Sequence, residues 1–148
     1  MKTSITKFSV YGILVGFIAF LAGLTFDITT NEVFGYATIV ASLLFVYFGI
    51  RHFRDKKNNG KVSFKQGIIL GLLISVFTAI GIAVADYIYT AFVNPDFFTE
   101  YAEKIKAENP SAEIQEFTSA QAALFMFALV FVIGLLISLI SSLLLQRR

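Results

Sequence analysis

Between Lys7 and Asp27 the chain runs for nineteen residues without a formal charge, apolar apart from Ser9 and Thr25. As a helix rising ~1.5 Å per residue, such a run covers about 28 Å, close to the ~30 Å hydrocarbon core of a bilayer. Three more apolar runs follow, over residues 33–50, 66–93 and 119–145, and only that at 66–93 is interrupted by a charge within it, at Asp86. A chain of 148 residues has too little interior to hide an apolar fraction of 57% and seventeen Phe. Lipid is therefore the expected solvent. A basic start ahead of an apolar run is also the pattern of a cleaved signal peptide. The length of the run at 8–26, with no small-x-small site before Asp27, favours an uncleaved helix.

The connections order these spans. Residues 27–32, DITTNE, make a link so short that the helices it joins must be antiparallel neighbours. Residues 51–65, RHFRDKKNNGKVSFK, carry six of the twelve Lys and Arg, and Asn58-Asn59-Gly60 marks a reversal because Asn and Gly accept positive φ. Asn94-Pro95 ends the third run, since a residue before proline is pushed out of the helical region. Residues 96–118 differ in kind, with five Glu, one Asp and two Lys. Phe97, Tyr101 and Ile105 recur there every four residues, on one helical face. Asn94 is the expected N-cap of that helix, with Pro95 at its first position and Asp96 beside its positive end. Asn109-Pro110 breaks it, and a second short helix can start at Ser111.

Charge sets the expected orientation. The N-terminus, residues 51–65 and the C-terminus hold ten basic residues and one acidic one, Asp55; residues 27–32 and 94–118 hold two basic and eight acidic ones. Basic loops stay cytoplasmic. The expectation is an all-α, integral membrane four-helix bundle, a single transmembrane domain over residues 1–148. Both termini and the basic loop 51–65 lie inside, and the acidic segment 94–118, an amphipathic helical piece between the third and fourth helices, lies outside.

Small residues line two helical faces: Gly12, Gly16, Ala19 and Gly23 on the first helix, Gly67, Gly71, Ser75 and Thr78 on the third. Such stripes allow close backbone approach in lipid, where helices gain little from hydrophobicity alone. Packing within the chain is the simpler use, and a homo-oligomer seam the sharper one. Gly12-Ile-Leu-Val-Gly16 also matches Gly67-Ile-Ile-Leu-Gly71, a faint repeat best taken as coincidence.

Asp86 is the one formal charge inside a span, and an intramembrane carboxylate is by default a functional residue. Counting ~20 residues as one hydrocarbon thickness from Gln66 places it at the outer boundary, level with Asp27 and Glu32. There it is either interfacial and wet, with Tyr87 and Tyr89 in an aromatic belt, or part of a cluster of Asp27, Glu32 and Asp86 that holds a hard cation or a proton. The first use is favoured. Arg51, Arg54, Lys56, Lys57, Lys61 and Lys65 make a face for anionic headgroups, each contributing ~1 kcal/mol near the surface. Fifteen residues offer no domain for nucleic acid, and none is expected as a partner. His52 reads as a surface imidazole. Residues 95–108 either lie on the outer leaflet or cap the bundle.

Catalytic templates are missing. The chain has no Cys and one His, which removes disulfides, thiolate chemistry and any multi-histidine metal site within one chain. Nucleophile-elbow, phosphate-loop, HExxH and haem motifs are absent, so neither an enzyme nor a cofactor is expected.

Residues 34–74, FGYATIVASLLFVYFGIRHFRDKKNNGKVSFKQGIILGLLI, carry a recognisable pattern: Gly35-Tyr36, Phe48-Gly49-Ile50 leading into the basic loop, then Asn59-Gly60-Lys61-Val62-Ser63-Phe64 before a Gly-rich helix. This resembles the bacterial domain-of-unknown-function family numbered 4199, and the likeness extends over essentially the whole chain. The resemblance implies a small four-span membrane protein and brings no activity with it. The expected function is a non-catalytic accessory or structural component of the bacterial inner membrane. Its expected partners are the lipid bilayer and either a second copy or another membrane protein. The alternative is a small oligomeric transporter or channel using Asp27, Glu32 and Asp86.

Overall fold

In a computed structural model the chain forms helices α1 (Lys2–Thr25), α2 (Glu32–His52), α3 (Phe64–Ile88), α4 (Phe97–Glu108) and α5 (Ser119–Leu145). The structure describes residues 1–26 and 32–147, the side chain of Glu32 excepted. Four segments are long and apolar enough to cross a membrane: Lys2–Thr25, Val33–Lys57, Phe64–Val93 and Ser119–Leu145. Helix is the structure such sequences must take in lipid, because each backbone N–H and C=O has to find its partner within the segment. Large apolar side chains remain exposed on all four, among them Ile18 on α1, Leu44 on α2, Ile80 on α3 and Leu136 on α5. Water would penalise that coat; acyl chains do not. The protein is a multi-pass helical membrane protein.

Several helix ends differ from the sequence reading. α1 starts at Lys2 because Ser4 is fully buried and Ile5 packs on the core, so the polar start is already helix. α2 runs on through Phe53–Lys57 as a π-helical turn, held by buried Phe53 and by Arg51 and Arg54 on Asp55, at 3.6 and 2.6 Å. Half of the basic stretch is thus helical, and the true loop is residues 58–63. α3 ends in a second π-helical turn, Tyr89–Val93, where the Asn94 N–H donates to the Tyr89 carbonyl at 2.8 Å. α4 then begins at Phe97 with Asp96, not Asn94, at its cap position; the Asn94 amide instead donates to Glu100 at 3.0 Å. The second short helix after Ser111 does not form. Residues 112–118 are irregular, and the next N-terminus is at α5, where Thr118 and Gln121 exchange hydrogen bonds in a capping box.

α3 is the centre of the bundle, with α1 and α5 on its flanks and α2 packed against all three. Leu43, Val46, Ile50, Leu70, Ile74, Ile82 and Val130 fill the interior. Close approach is set by glycines facing small residues. A Cβ on Gly67 would lie 2.6 Å from Ser142 Oγ, one on Gly71 2.6 Å from Ser138 Oγ, and one on Gly134 2.5 Å from Ser75 Cβ. Each step of four along α3 therefore meets a step of four back along α5, a reciprocal glycine–serine seam between antiparallel helices. On the other flank Gly12 sits against Thr78, Gly16 against Ile82 and Gly81 against the Ile13 backbone, while Gly23 is buried on the same helix as the first two. The two glycine stripes lie inside the chain. They also serve different seams, α1 on α3 and α3 on α5, so their likeness in sequence is not a structural repeat.

The serines and threonines at these seams turn back on their own helices. Ser42 donates to the Thr38 carbonyl at 2.8 Å, Ser75 to Gly71 at 2.9 Å, Thr78 to Ile74 at 3.0 Å and Ser138 to Gly134 at 2.6 Å. These four hydroxyls are satisfied spacers, whereas Ser142 Oγ, opposite Gly67, is buried without a hydrogen-bond partner. Gly71→Val should therefore lower stability in detergent by about 1–3 kcal/mol through overpacking, while Leu73→Val on the lipid face should change it by less than about 0.5 kcal/mol. Equal melting of the two variants would refute the seam.

Candidate functional site

One end of the bundle gathers the basic residues. Ser4 Oγ lies 3.0 Å from His52 Nδ1, and the imidazole packs on the Phe8 ring at 5.4 Å, so His52 is half-buried rather than a surface imidazole. A serine beside a histidine suggests nucleophilic chemistry, but Ser4 is completely enclosed. The contact ties the start of α1 to the end of α2. Arg51, Lys56, Lys57, Lys61 and Lys65 are exposed and Arg54 is half-buried against Asp55.

The turn that follows is specific in every residue. Asn59 and Gly60 both take positive φ, 52° and 76°. The Gly60 N–H donates to the Arg54 carbonyl at 2.8 Å, and the Asn58 side chain donates to the Lys61 carbonyl at 2.7 Å. Buried Val62 then pairs with Arg147 through two 2.9 Å backbone bonds, an isolated antiparallel bridge to the C-terminal end. Ser63 accepts from Gln66 N–H, and the Gln66 side chain accepts from Ser63 N–H, a capping box that starts α3. A Cβ at Gly60 meets no neighbour within 4 Å, so only its conformation matters. Left-handed backbone costs a β-branched residue roughly 1–2 kcal/mol. Gly60→Val should lose about that much stability, while Gly60→Asn and Lys57→Gln should stay near wild type; equal loss in all three would reduce the stretch to its charge.

The other end holds the cavity. About 460 Å³ of space lies where α1, α2, α3, α4 and α5 converge. Six rings line it, those of Phe20, Tyr36, Phe97, Phe98, Phe117 and Phe125, together with Asp86. Asp86 is only 6% exposed, and its Oδ2 is enclosed with no hydrogen-bond partner. The wet surroundings expected for it do not hold: the carboxylate is buried, and apolar residues of α1, α2, α4 and α5 share the space beside it. Tyr87 is exposed as a belt residue would be, but Tyr89 is buried, edge-on to Phe97 at 5.7 Å. Phe97 in turn stacks on Tyr101 at 6.3 Å, the face expected from their spacing. Asp27 and the side chain of Glu32 lie outside the described residues. Among the described residues no group of three or more His, Cys, Asp or Glu is placed to share a metal ion.

The aromatic lining is what sequence reasoning missed. Phe20 and Phe125 look like ordinary lipid-facing residues within apolar runs, and nothing in their spacing points to a shared space. The one usable signal was the density of aromatics on either side of Asn94-Pro95.

Residues 7–147 match a family model described as "Protein of unknown function (DUF4199)". The chain belongs to the DUF4199 family. Comparison with curated proteins and with solved structures returns no match. Within this DUF4199 chain, the stretch Asn59-Gly60-Lys61-Val62-Ser63-Phe64 is the turn, bridge and cap just described.

An unpaired carboxylate in an apolar wall costs stability, about 1–3 kcal/mol for an unsatisfied polar group. Asp86→Leu should accordingly raise the melting temperature of the purified protein. A fall would assign the carboxylate a structural role instead.

Proposed function

We propose that this DUF4199 protein is a non-catalytic component of the bacterial inner membrane, with both termini and the basic loop in the cytoplasm and the acidic α4 segment outside. The observation that carries the reading is the segregation of charge between the two ends. The Ser4–His52 contact and the Val62–Arg147 bridge bring the N-terminus, the basic loop and Arg147 to one end, so nine basic residues gather there around one acidic one among the described residues. A bundle charged in this way is retained with its basic end inside. That end presents exposed Arg51, Lys56, Lys57, Lys61 and Lys65 to anionic headgroups or to an acidic face of another membrane protein.

An accessory role is favoured over a conducting one by the use of the interior hydroxyls. Ser42, Ser75, Thr78 and Ser138 donate to their own helices, which commits their protons to the backbone instead of to a passing ion. The cysteine-free chain makes the test direct. Cysteine at Glu108 should react with a membrane-impermeant maleimide in intact spheroplasts, and cysteine at Lys57 only after permeabilisation; the reverse pattern would overturn the orientation. Liposomes containing the purified protein should hold proton and sodium gradients as long as empty ones. Faster collapse would favour a transporter or channel.

A further inference from the structure

The cavity around Asp86 is built for a particular chemistry. Its wall is almost wholly apolar, and no Lys, Arg or His lines it among the described residues. The carboxylate is more than nine-tenths buried, with one oxygen left without a donor. A buried charge is stable only when paired and hydrogen-bonded, and among the described residues no donor meets Asp86 Oδ2. An anion would be repelled, and an uncharged acyl chain would leave the oxygen orphaned. A hard divalent cation takes about six to eight oxygen ligands, and among the described residues Asp86 is the one carboxylate lining this space. What satisfies both wall and carboxylate is one cationic N–H donor on an apolar body. Aromatic faces within about 6 Å attract such a cation as well, and six rings surround this space. Its volume of about 460 Å³ falls in the roughly 300–1,000 Å³ range of small-molecule sites.

We propose that this cavity binds the ammonium group of a membrane-soluble organic amine, with Asp86 as its counter-ion and the surrounding rings enclosing its apolar part. The ammonium nitrogen donates to the free oxygen of Asp86. The amine is either the headgroup of an ethanolamine phospholipid or a free lipophilic amine, since both offer this chemistry. The site does not depend on which side of the membrane the cavity faces, so reversed maleimide labelling would leave it standing.

The test uses the full-length protein in maltoside micelles, titrated with dodecylammonium and with dodecanol, which shares its tail but lacks the charge. Wild type should bind the amine at least tenfold more tightly than the alcohol. Asp86→Asn should lose that tenfold preference, and Ala122→Phe, which fills the cavity from α5 and keeps the carboxylate, should lose binding of both. Equal binding of amine and alcohol to wild type would overturn the proposal, as would an unchanged preference in Asp86→Asn. Should Asp86→Asn fail to fold, Ala122→Phe decides: amine binding retained there refutes the site, and binding lost from a normally eluting, normally melting protein supports it. Native mass spectrometry then separates the sources. Phosphatidylethanolamine retained by wild type and lost from Asp86→Asn identifies a headgroup, whereas dodecylammonium binding without retained lipid identifies a free amine.

Discussion

The close approach of α3 and α5 is the contact on which the rest of the bundle depends. Gly67, Gly71 and Gly134 have no side chain to hold the backbones apart, and Ser142, Ser138 and Ser75 fill the space each leaves. Lipid tails compete for apolar side chains on equal terms, so helices in a bilayer associate by fitting together. A glycine opposite a serine supplies that fit, and Ser75 and Ser138 donate their hydroxyls to their own helices. With α5 seated, α3 can carry α1 on its other flank through Gly12 and Gly16, and α2 covers all three.

The two ends of the bundle are finished in opposite ways. At the basic end the turn is held by named hydrogen bonds, from Gly60 N–H on the Arg54 carbonyl to the bridge at Val62 and the cap at Ser63. That end is closed. At the acidic end α3 passes into a π-helical turn just after Asp86, as α2 does at the basic end, and α4 attaches through few contacts, chiefly Phe97 on Tyr89. Asp86 is left unpaired beneath it.

The four spans were legible because hydrocarbon thickness imposes a length that charge-free runs must meet. The turn at Asn58-Asn59-Gly60 was legible because few residues accept positive φ. Helix ends were not: the helical state of residues 2–7 and 53–57 depends on Ser4 and Phe53 being buried by neighbours that local sequence cannot reveal. Asp86 lies near the end of its helix, as counting along the chain implies, and its burial was missed because it depends on residues distant in sequence that share its surroundings. The glycine stripes announced close packing without naming a partner, since a stripe looks the same whether its partner lies in the same chain or another. Asp27 and Glu32 were grouped with Asp86 by depth alone, and only Asp86 lies within the described side chains.

A double-mutant cycle at the α3–α5 seam tests the central claim most directly. Gly71→Ser and Ser138→Gly, made singly and together, exchange the two partners, and stability is read by reversible unfolding in mixed micelles. Contacting residues couple by roughly 0.5–3 kcal/mol, so the double variant should be more stable than the sum of the single losses by an amount in that range. Strict additivity would mean that these positions do not meet, and the packing described for the bundle would be wrong.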